Sequence, residues 1–256
     1  MRLITKATLL GLTLFSASVF ASGQKTLKVG IEDSIAPFEF REKGSTEVIG
    51  FDVDIIKAIA KEQGFAVEIT NMPFDALLPS VLTEQVDVAI SSYSITEERA
   101  QIVKLEPYYD SGLGVLVRTD LLKDIHSSYD LQGRTICAKS GTTGSYFAEN
   151  IKKSKTKNYL TEIEAFMSID KGECDVVIID KPVLEYYHVR SHDDKTAVLK
   201  DKLTFEQYGI VTSKNKGEIS DNIAEGLKKI RKNGSRCCSF SSRRKAGCPA
   251  PKPRRK

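Results

Sequence analysis

The chain has 256 residues, of which 41% are hydrophobic and 28% charged, with a formal net charge of +4. This composition is typical of a globular protein of one or two domains with a sizeable core. Ten of its 38 basic residues lie within residues 1–6 and 236–256, which leaves 28 basic against 34 acidic residues in the body. The positive charge therefore belongs to the ends, and the body is not expected to bind nucleic acid.

The first 21 residues have the pattern of a secretory signal. Arg2 and Lys6 precede an apolar run from Ala7 to Phe20, and small residues at Val19 and Ala21 suit cleavage by a signal peptidase. The run is short for a membrane-spanning helix. We therefore predict a signal peptide over 1–21 and a soluble protein exported to the periplasm.

Strand and helix signals alternate over the next seventy residues. A short strand over 26–31 ends at Glu32, and Asp52 is expected to cap a helix that Gly64 ends. Further signals follow for a strand, a helix and a buried strand, at 65–69, from 75 and at 86–90. This alternation predicts an α/β fold with a parallel sheet.

The most informative stretch follows that buried strand and reads SSYSITEER, residues 91–99. Its hydroxyl groups and the guanidinium of Arg99 lie where a strand ends and a helix begins, so they can converge on one anion. A guanidinium can bind a carboxylate through two parallel hydrogen bonds. Taken alone, however, the stretch favours an ordinary turn in which Thr96 caps a helix.

A second α/β unit begins with a strand over 134–138 and a glycine-bearing loop over 139–144. The loop lacks the Gly-Lys-Ser/Thr ending of a nucleotide-binding loop, so phosphate binding is the weaker interpretation. A buried strand over 175–179 then ends on Asp180, at the edge where α/β sheets bind ligands. A late strand and helix, at 208–212 and 219–230, are expected to return to the first sheet, so that two connections form a hinge.

The cysteines and histidines allow few other sites. Cys137 and Cys174 lie in the body of the chain, where an exported protein can hold them either as a disulfide or as two buried thiols. His188 and His192 are four residues apart, but no third ligand is evident, and we predict no metal and no other cofactor.

Several segments together resemble a known family, and they occur in its order over residues 26–234. They read VGIEDSIAPFEF, GFDVDIIKAIAKEQG, FDALLPSVLTEQVDVAISSYSITEER, PYYDSG, DLQGRTICAKSGTTGS and CDVVIIDKPVLEYY. The chain resembles the polar amino-acid periplasmic solute-binding proteins of ABC importers. The resemblance implies a monomeric, non-catalytic two-lobed clamp of the type II periplasmic-binding-protein fold. It would close on a free amino acid and deliver it to an inner-membrane ABC permease.

The same resemblance implies a division of the chain into lobes. Each lobe is a mainly parallel sheet flanked by helices, and two hinge crossings join them. We expect lobe 1 over 22–115 and 207–234, and lobe 2 over 116–206.

The resemblance also assigns roles to residues at the ligand's backbone end. Arg99 would bind the α-carboxylate, together with Ser94 and Thr143, and Asp180 would accept the α-ammonium, assisted by Ser92. Both ends of a zwitterion must be paired when it leaves water, which agrees with one cation and one anion from opposite lobes. Two neighbours complete this set, Ser91 and Thr142.

Four residues would line the side-chain end, namely Glu32, Ile35, Phe74 and Lys139. Ile35 replaces the aromatic ring usual in the family, which weakens the stacking of a guanidinium. Lys139 opposes a cationic side chain unless Glu32 neutralises it. We therefore expect a glutamine-like ligand, with arginine, lysine and histidine as alternatives, while each of the four residues also fits an ordinary rim or core position.

The C-terminal segment departs from the family, and the function has alternatives. Residues 235–256 have the composition of a disordered basic tail in place of the family's ending, which we interpret as an altered C-terminus. The function also has two alternatives to transport. One is an enzyme like the cyclohexadienyl or arogenate dehydratases, with Glu32 as the evident general acid, and the other is a ligand sensor.

Overall fold

The computed structural model describes residues 24–192 and 194–232. The predicted signal peptide and the predicted basic tail lie outside these residues. The strands are β1 (Thr26–Ile31), β2 (Ser34–Ile35), β3 (Glu39–Arg41), β4 (Val48–Ile49), β5 (Ala66–Asn71), β6 (Val88–Ala89), β7 (Val103–Ser111), β8 (Leu113–Arg118), β9 (Thr135–Lys139), β10 (Lys155–Tyr159), β11 (Val176–Asp180), β12 (Thr196–Val198) and β13 (Glu206–Ser213). The α-helices are α1 (Phe51–Gln63), α2 (Phe74–Leu82), α3 (Glu97–Ile102), α4 (Thr143–Glu149), α5 (Glu162–Asp170), α6 (Lys181–Ser191) and α7 (Gly217–Lys232).

Two five-stranded sheets form the frame of the described chain. Their strand orders are β5-β1-β6-β13-β7 and β10-β9-β11-β8-β12, and a small sheet of β2, β3 and β4 accompanies them. In each large sheet four strands run in one direction, while β13 or β8 runs in the opposite one. The predicted α/β fold of two mainly parallel sheets is confirmed.

The chain crosses between the sheets twice, and the two crossings touch. Gly112 lies between β7 and β8 with φ of 150°, and a Cβ added there would lie 2.1 Å from the carbonyl oxygen of Thr204. The next amide, of Leu113, donates a hydrogen bond of 2.9 Å to Thr204 Oγ1. Because all of β8 belongs to the second sheet, we propose lobe boundaries at Gly112 and near residue 205, in place of 115/116 and 206/207.

The helices of the first sheet follow the apolar pattern of their sequences. Gly64 ends α1 in the left-handed conformation, as predicted. The stripe Ile223, Leu227 and Ile230 of α7 is buried. The two helices approach so closely that a Cβ on Gly226 would lie 2.7 Å from Ile59 Cγ2. This packing holds the returning chain against the first sheet.

The prediction that Asp52 caps α1 is wrong. Gly50 occupies the capping position, and Asp52 is completely buried in the first turn. Its Oδ2 accepts hydrogen bonds from the amide of Ser92 at 2.8 Å and from the hydroxyl of Tyr108 at 2.6 Å. Asp52 therefore supports the loop that follows β6 rather than the start of its own helix.

Cys137 and Cys174 are joined by a disulfide, with their Cα atoms 5.9 Å apart. Cys137 lies on β9 and pairs in register with Val177 of the neighbouring strand β11. Among the described residues, no cluster of three His, Cys, Asp or Glu side chains is arranged to hold a metal ion. No helix of this part of the chain is long and apolar enough to span a membrane.

Candidate ligand-binding site

One narrow cavity lies where the carboxyl ends of strands from both sheets face each other. Its volume is about 10 Å³, which is room for about one water molecule. Nine of the predicted residues line it: Ile35, Phe74, Ser91, Ser92, Ser94, Arg99, Thr142, Thr143 and Asp180. The other two, Glu32 and Lys139, form an ion pair at its edge.

Arg99 is fixed in the first turn of α3. Thr96 caps that helix as predicted, because its Oγ1 accepts a hydrogen bond of 3.2 Å from the Arg99 amide. The buried guanidinium donates to the carbonyl of Ser94 at 2.6 Å and, across the cleft, to that of Gly141 at 3.0 Å. The guanidinium carbon, Cζ, lies 4.0 Å from the ring centroid of Tyr93. The two bonds use two of five N–H groups, and the remaining three can meet a carboxylate.

The two serines after β6 have different roles. Ser91 Oγ donates to Glu39 Oε1 at 2.9 Å and accepts from the amide of Glu32 at 3.1 Å, so it supports the framework. Ser92 has a left-handed backbone with φ of 47°, and Asp52 holds its amide. The Ser92 hydroxyl oxygen is buried and has no hydrogen-bond partner among the described residues. It can therefore bind a ligand that enters the cavity.

A buried carboxyl pair lies beneath these serines. Desolvation raises the pKa of Glu39 well above its ordinary value, and the charge and hydrogen bonding of Asp52 raise it further. Burial raises the pKa of Asp52 as well, although the hydrogen bonds from Glu39, Tyr108 and the Ser92 amide oppose that rise. Of the two carboxyls, Glu39 is therefore the one whose protonated form the surroundings favour more strongly.

The hydroxyl groups of Thr142 and Thr143, in the loop of the second lobe, form hydrogen bonds with other groups of the protein. Thr142 Oγ1 caps α4 by accepting from the Ser145 amide at 3.3 Å, and it donates to the carbonyl of Lys139 at 2.7 Å. Thr143 Oγ1 donates to Glu206 Oε2 at 2.8 Å. The prediction that Thr143 binds the ligand carboxylate therefore concerns its backbone amide rather than its hydroxyl.

Asp180 lies at the end of β11, opposite the first-lobe residues. Its Oδ1 accepts a hydrogen bond of 3.2 Å from Ser111 Oγ. Desolvation raises the pKa of its carboxyl to about 7, and the nearby Glu206 carboxylate adds to the rise. A cation brought to this position would favour the ionised carboxylate.

The ion pair at the cavity edge includes a residue that the sequence did not indicate. Lys139 Nζ contacts Glu32 Oε2 and lies 2.9 Å from Oε1 of Glu162, at the start of α5. Burial opposes the charge of Lys139, but the two carboxylates outweigh it and raise the pKa of the ammonium. Desolvation raises the pKa of Glu32 despite the adjacent cation. The ammonium also lies 4.9 Å from the ring centroid of Phe74.

Comparisons with known proteins identify related chains over almost the whole of this one. The family model of the bacterial extracellular solute-binding proteins, family 3, matches residues 27–236. An arginine-binding periplasmic protein of Mannheimia haemolytica is 34% identical, over 90% of this chain and 94% of its own length.

Two solved structures share the fold. One is the arginine-, lysine-, histidine-binding protein ArtJ of Geobacillus stearothermophilus, with a TM-score of 0.79, 31% identity, and coverage of 89% of this chain and 97% of that one. The other is the ancestral amino-acid-binding protein AncCDT-1, described as a precursor of cyclohexadienyl dehydratase. Its TM-score is 0.78 with 30% identity, covering 85% of this chain and 94% of that one. The predicted two-lobed fold is confirmed by these matches.

Proposed function

Because the chain belongs to the bacterial extracellular solute-binding proteins of family 3, we propose that it binds a free polar amino acid between its two lobes. The arginine-binding relative and the structural neighbour that binds arginine, lysine and histidine favour a basic ligand. A glutamine-like ligand is the alternative that the sequence suggested. In this proposal, the protein then delivers its ligand to an inner-membrane ABC permease.

One observation carries the proposal: Arg99 in α3, which follows β6 of the first sheet, and Asp180 at the end of β11 of the second sheet line the same cavity. A guanidinium and a carboxylate so placed complement the carboxylate and ammonium of one zwitterion. A zwitterion that leaves water must have both charges paired. The unpartnered hydroxyl of Ser92 adds a third polar contact to the same ligand.

Binding requires the two lobes to separate. The cavity has room for about one water molecule, which is far less than any amino acid needs. Rotation about the two adjacent crossings, at Gly112 and Thr204, would open the cleft. The ligand then favours closure because it pairs with groups of both lobes at once.

Export fits this role. The family consists of extracellular proteins, and we propose that the signal at 1–21 directs this chain to the periplasm. The disulfide between Cys137 and Cys174 suits an oxidising compartment of that kind.

A dehydratase activity is the second candidate. It is supported by the similarity to AncCDT-1 and by the pKa of Glu32, which burial raises toward the range a general acid needs. The contact of Glu32 with the Lys139 ammonium opposes that role, because the cation stabilises the ionised carboxylate. Incubation with prephenate or arogenate and detection of the aromatic product tests it directly.

Thermal unfolding of the purified protein with each amino acid tests the main proposal. A ligand at a hundredfold excess over its dissociation constant adds about 2.7 kcal/mol to the free energy of unfolding. We expect a rise in the unfolding midpoint with at least one polar amino acid. If every amino acid leaves the midpoint unchanged, the proposal is wrong.

A further inference from the structure

Three buried charged side chains lie together at one end of the cavity. The side chains of Glu32, Lys139 and Glu162 are 9%, 1% and 6% exposed, and the ammonium contacts one oxygen of each carboxylate. Glu32 follows β1 of the first sheet, whereas Lys139 ends β9 of the second sheet and Glu162 begins α5. One cation between two carboxylates leaves an excess negative charge, which is costly in a buried position.

The second oxygen of Glu162 has no such contact. Its Oε2 is buried and has no hydrogen-bond partner among the described residues, and the side chain lines the cavity. The hydroxyl of Ser92, on the opposite lobe, is unpartnered in the same cavity. A buried acceptor without a donor is unfavourable, so a ligand that brings a donor to Glu162 gains affinity.

We propose that Glu162 determines the specificity of the cavity by accepting a hydrogen bond from a cation at the end of the ligand side chain. This inference rests on the proposed amino-acid binding. A cationic side chain balances the cluster at two positive and two negative charges. A neutral amide can donate to Glu162 but leaves the excess charge, and an anionic side chain increases it.

Lys139 limits the length of that side chain. Its ammonium is held between the two carboxylates and lies 4.9 Å from the ring centroid of Phe74. It therefore occupies the ring face on which a long guanidinium side chain would stack. The ligand class that fits is an amino acid with a short cationic side chain, such as ornithine or 2,4-diaminobutyrate.

Calorimetric titration of the purified protein at pH 8 with ornithine, arginine and glutamine tests the inference. We expect ornithine to bind at least tenfold more tightly than the other two. Glu162→Gln should weaken ornithine at least tenfold and change glutamine less than about threefold. Glu164→Gln is the matched control, because Glu164 is exposed on the same helix and Gln preserves its capping box with Thr161. It should change neither affinity.

Lys139→Met provides a second, independent measurement. It removes the internal cation while keeping an unbranched side chain, so the affinity for arginine relative to ornithine should rise at least tenfold. The inference is overturned if Glu162→Gln weakens ornithine and glutamine equally, if Lys139→Met leaves the ratio unchanged, or if the wild-type protein prefers arginine. Absence of binding by all three amino acids to the wild-type protein also overturns the inference, whereas the proposed function fails only if no amino acid raises the unfolding midpoint.

Discussion

Arg99 donates a hydrogen bond of 3.0 Å from Nη2 to the carbonyl oxygen of Gly141, which joins the start of α3 to the loop after β9. The guanidinium thus touches both lobes. Because the same group bonds to the carbonyl of Ser94, its plane is fixed while three N–H groups remain for a ligand. This arrangement makes the planar geometry of the Arg99 guanidinium, and not only its charge, important for binding.

Arg99→Ala should abolish the ligand-dependent rise in the unfolding midpoint, because the carboxylate then has no counter-charge. Arg99→Lys keeps the charge but cannot form two parallel hydrogen bonds, so we expect affinity to fall tenfold or more. Thermal unfolding at a fixed ligand concentration measures both. Arg190→Ala, at an exposed position of α6, should behave as wild type. Equal affinities for Arg99→Lys and the wild-type protein would contradict the need for two parallel hydrogen bonds from the guanidinium.

The pKa of Asp180, about 7, predicts a pH-dependent affinity. An amino-acid ammonium needs the ionised carboxylate, and at pH 6 about nine-tenths of the Asp180 side chains are protonated. Affinity should therefore fall by up to about tenfold per pH unit below pH 7 and level off above pH 8. Titration in two buffers with different ionisation enthalpies should detect release of nearly one proton on binding at pH 6.

Asp180→Asn tests whether the titrating group is Asp180 or one of its acidic neighbours, Glu206 and Glu162. The variant should bind weakly at pH 8 and show a flat pH profile. A slope equal to that of the wild-type protein would assign the titration to a different group.

The stability of the ligand-free protein should depend on pH with the sign opposite to that of the ligand affinity. A carboxyl with a raised folded pKa destabilises the fold as the pH rises from about 4 to about 7.

Much of this site could be predicted from the sequence because ligand-binding residues follow strand ends. Arg99 and Asp180 each come shortly after a continuous apolar run, and such runs are easy to recognise as buried strands. Glu162 obeys the same rule, since it follows β10 by three residues. That strand reads Lys155-Thr156-Lys157-Asn158-Tyr159, and its polar residues at the edge of the sheet conceal it.

Asp52 could not be assigned from the sequence for a different reason. An aspartate at the start of an amphipathic helix usually caps it, and that local preference was the basis of the prediction. Its actual partners are the amide of Ser92 and the hydroxyl of Tyr108, forty and fifty-six residues away. Contacts of this kind depend on the tertiary packing and outweigh local propensity.

The buried carboxyl pair predicts an asymmetry between two substitutions of Glu39. Burial and the neighbouring Asp52 raise the pKa of Glu39 and so favour its neutral, protonated form. Glu39→Gln supplies a neutral donor of similar shape and should change the free energy of unfolding by about 1 kcal/mol or less. Glu39→Ala leaves a cavity and deprives the Ser91 hydroxyl of its acceptor, at a cost of about 2–4 kcal/mol. Urea denaturation at pH 7 measures both. Equal destabilisation would mean that Glu39 is ionised in the folded protein.

The disulfide should contribute substantially to stability. It closes a loop with a sequence separation of 37 residues, for which loss of chain entropy in the unfolded state corresponds to about 4 kcal/mol and typical measured effects are about 2–4 kcal/mol. Denaturation of the wild-type protein with and without dithiothreitol should reveal this difference. The double variant Cys137→Ala with Cys174→Ala should match the reduced protein and not respond to the reductant.

Three more cysteines, at 237, 238 and 248, could also respond to reductant. Their replacement by serine is the control for that prediction, and it should leave the sensitivity to reductant intact. Ligand affinity should fall less than tenfold on reduction, because β9 and β11, which end at Lys139 and Asp180, also pair through backbone contacts. A stability that dithiothreitol does not change in the wild-type protein, or a change that the serine replacements abolish, would show that the Cys137–Cys174 bond does not stabilise the fold.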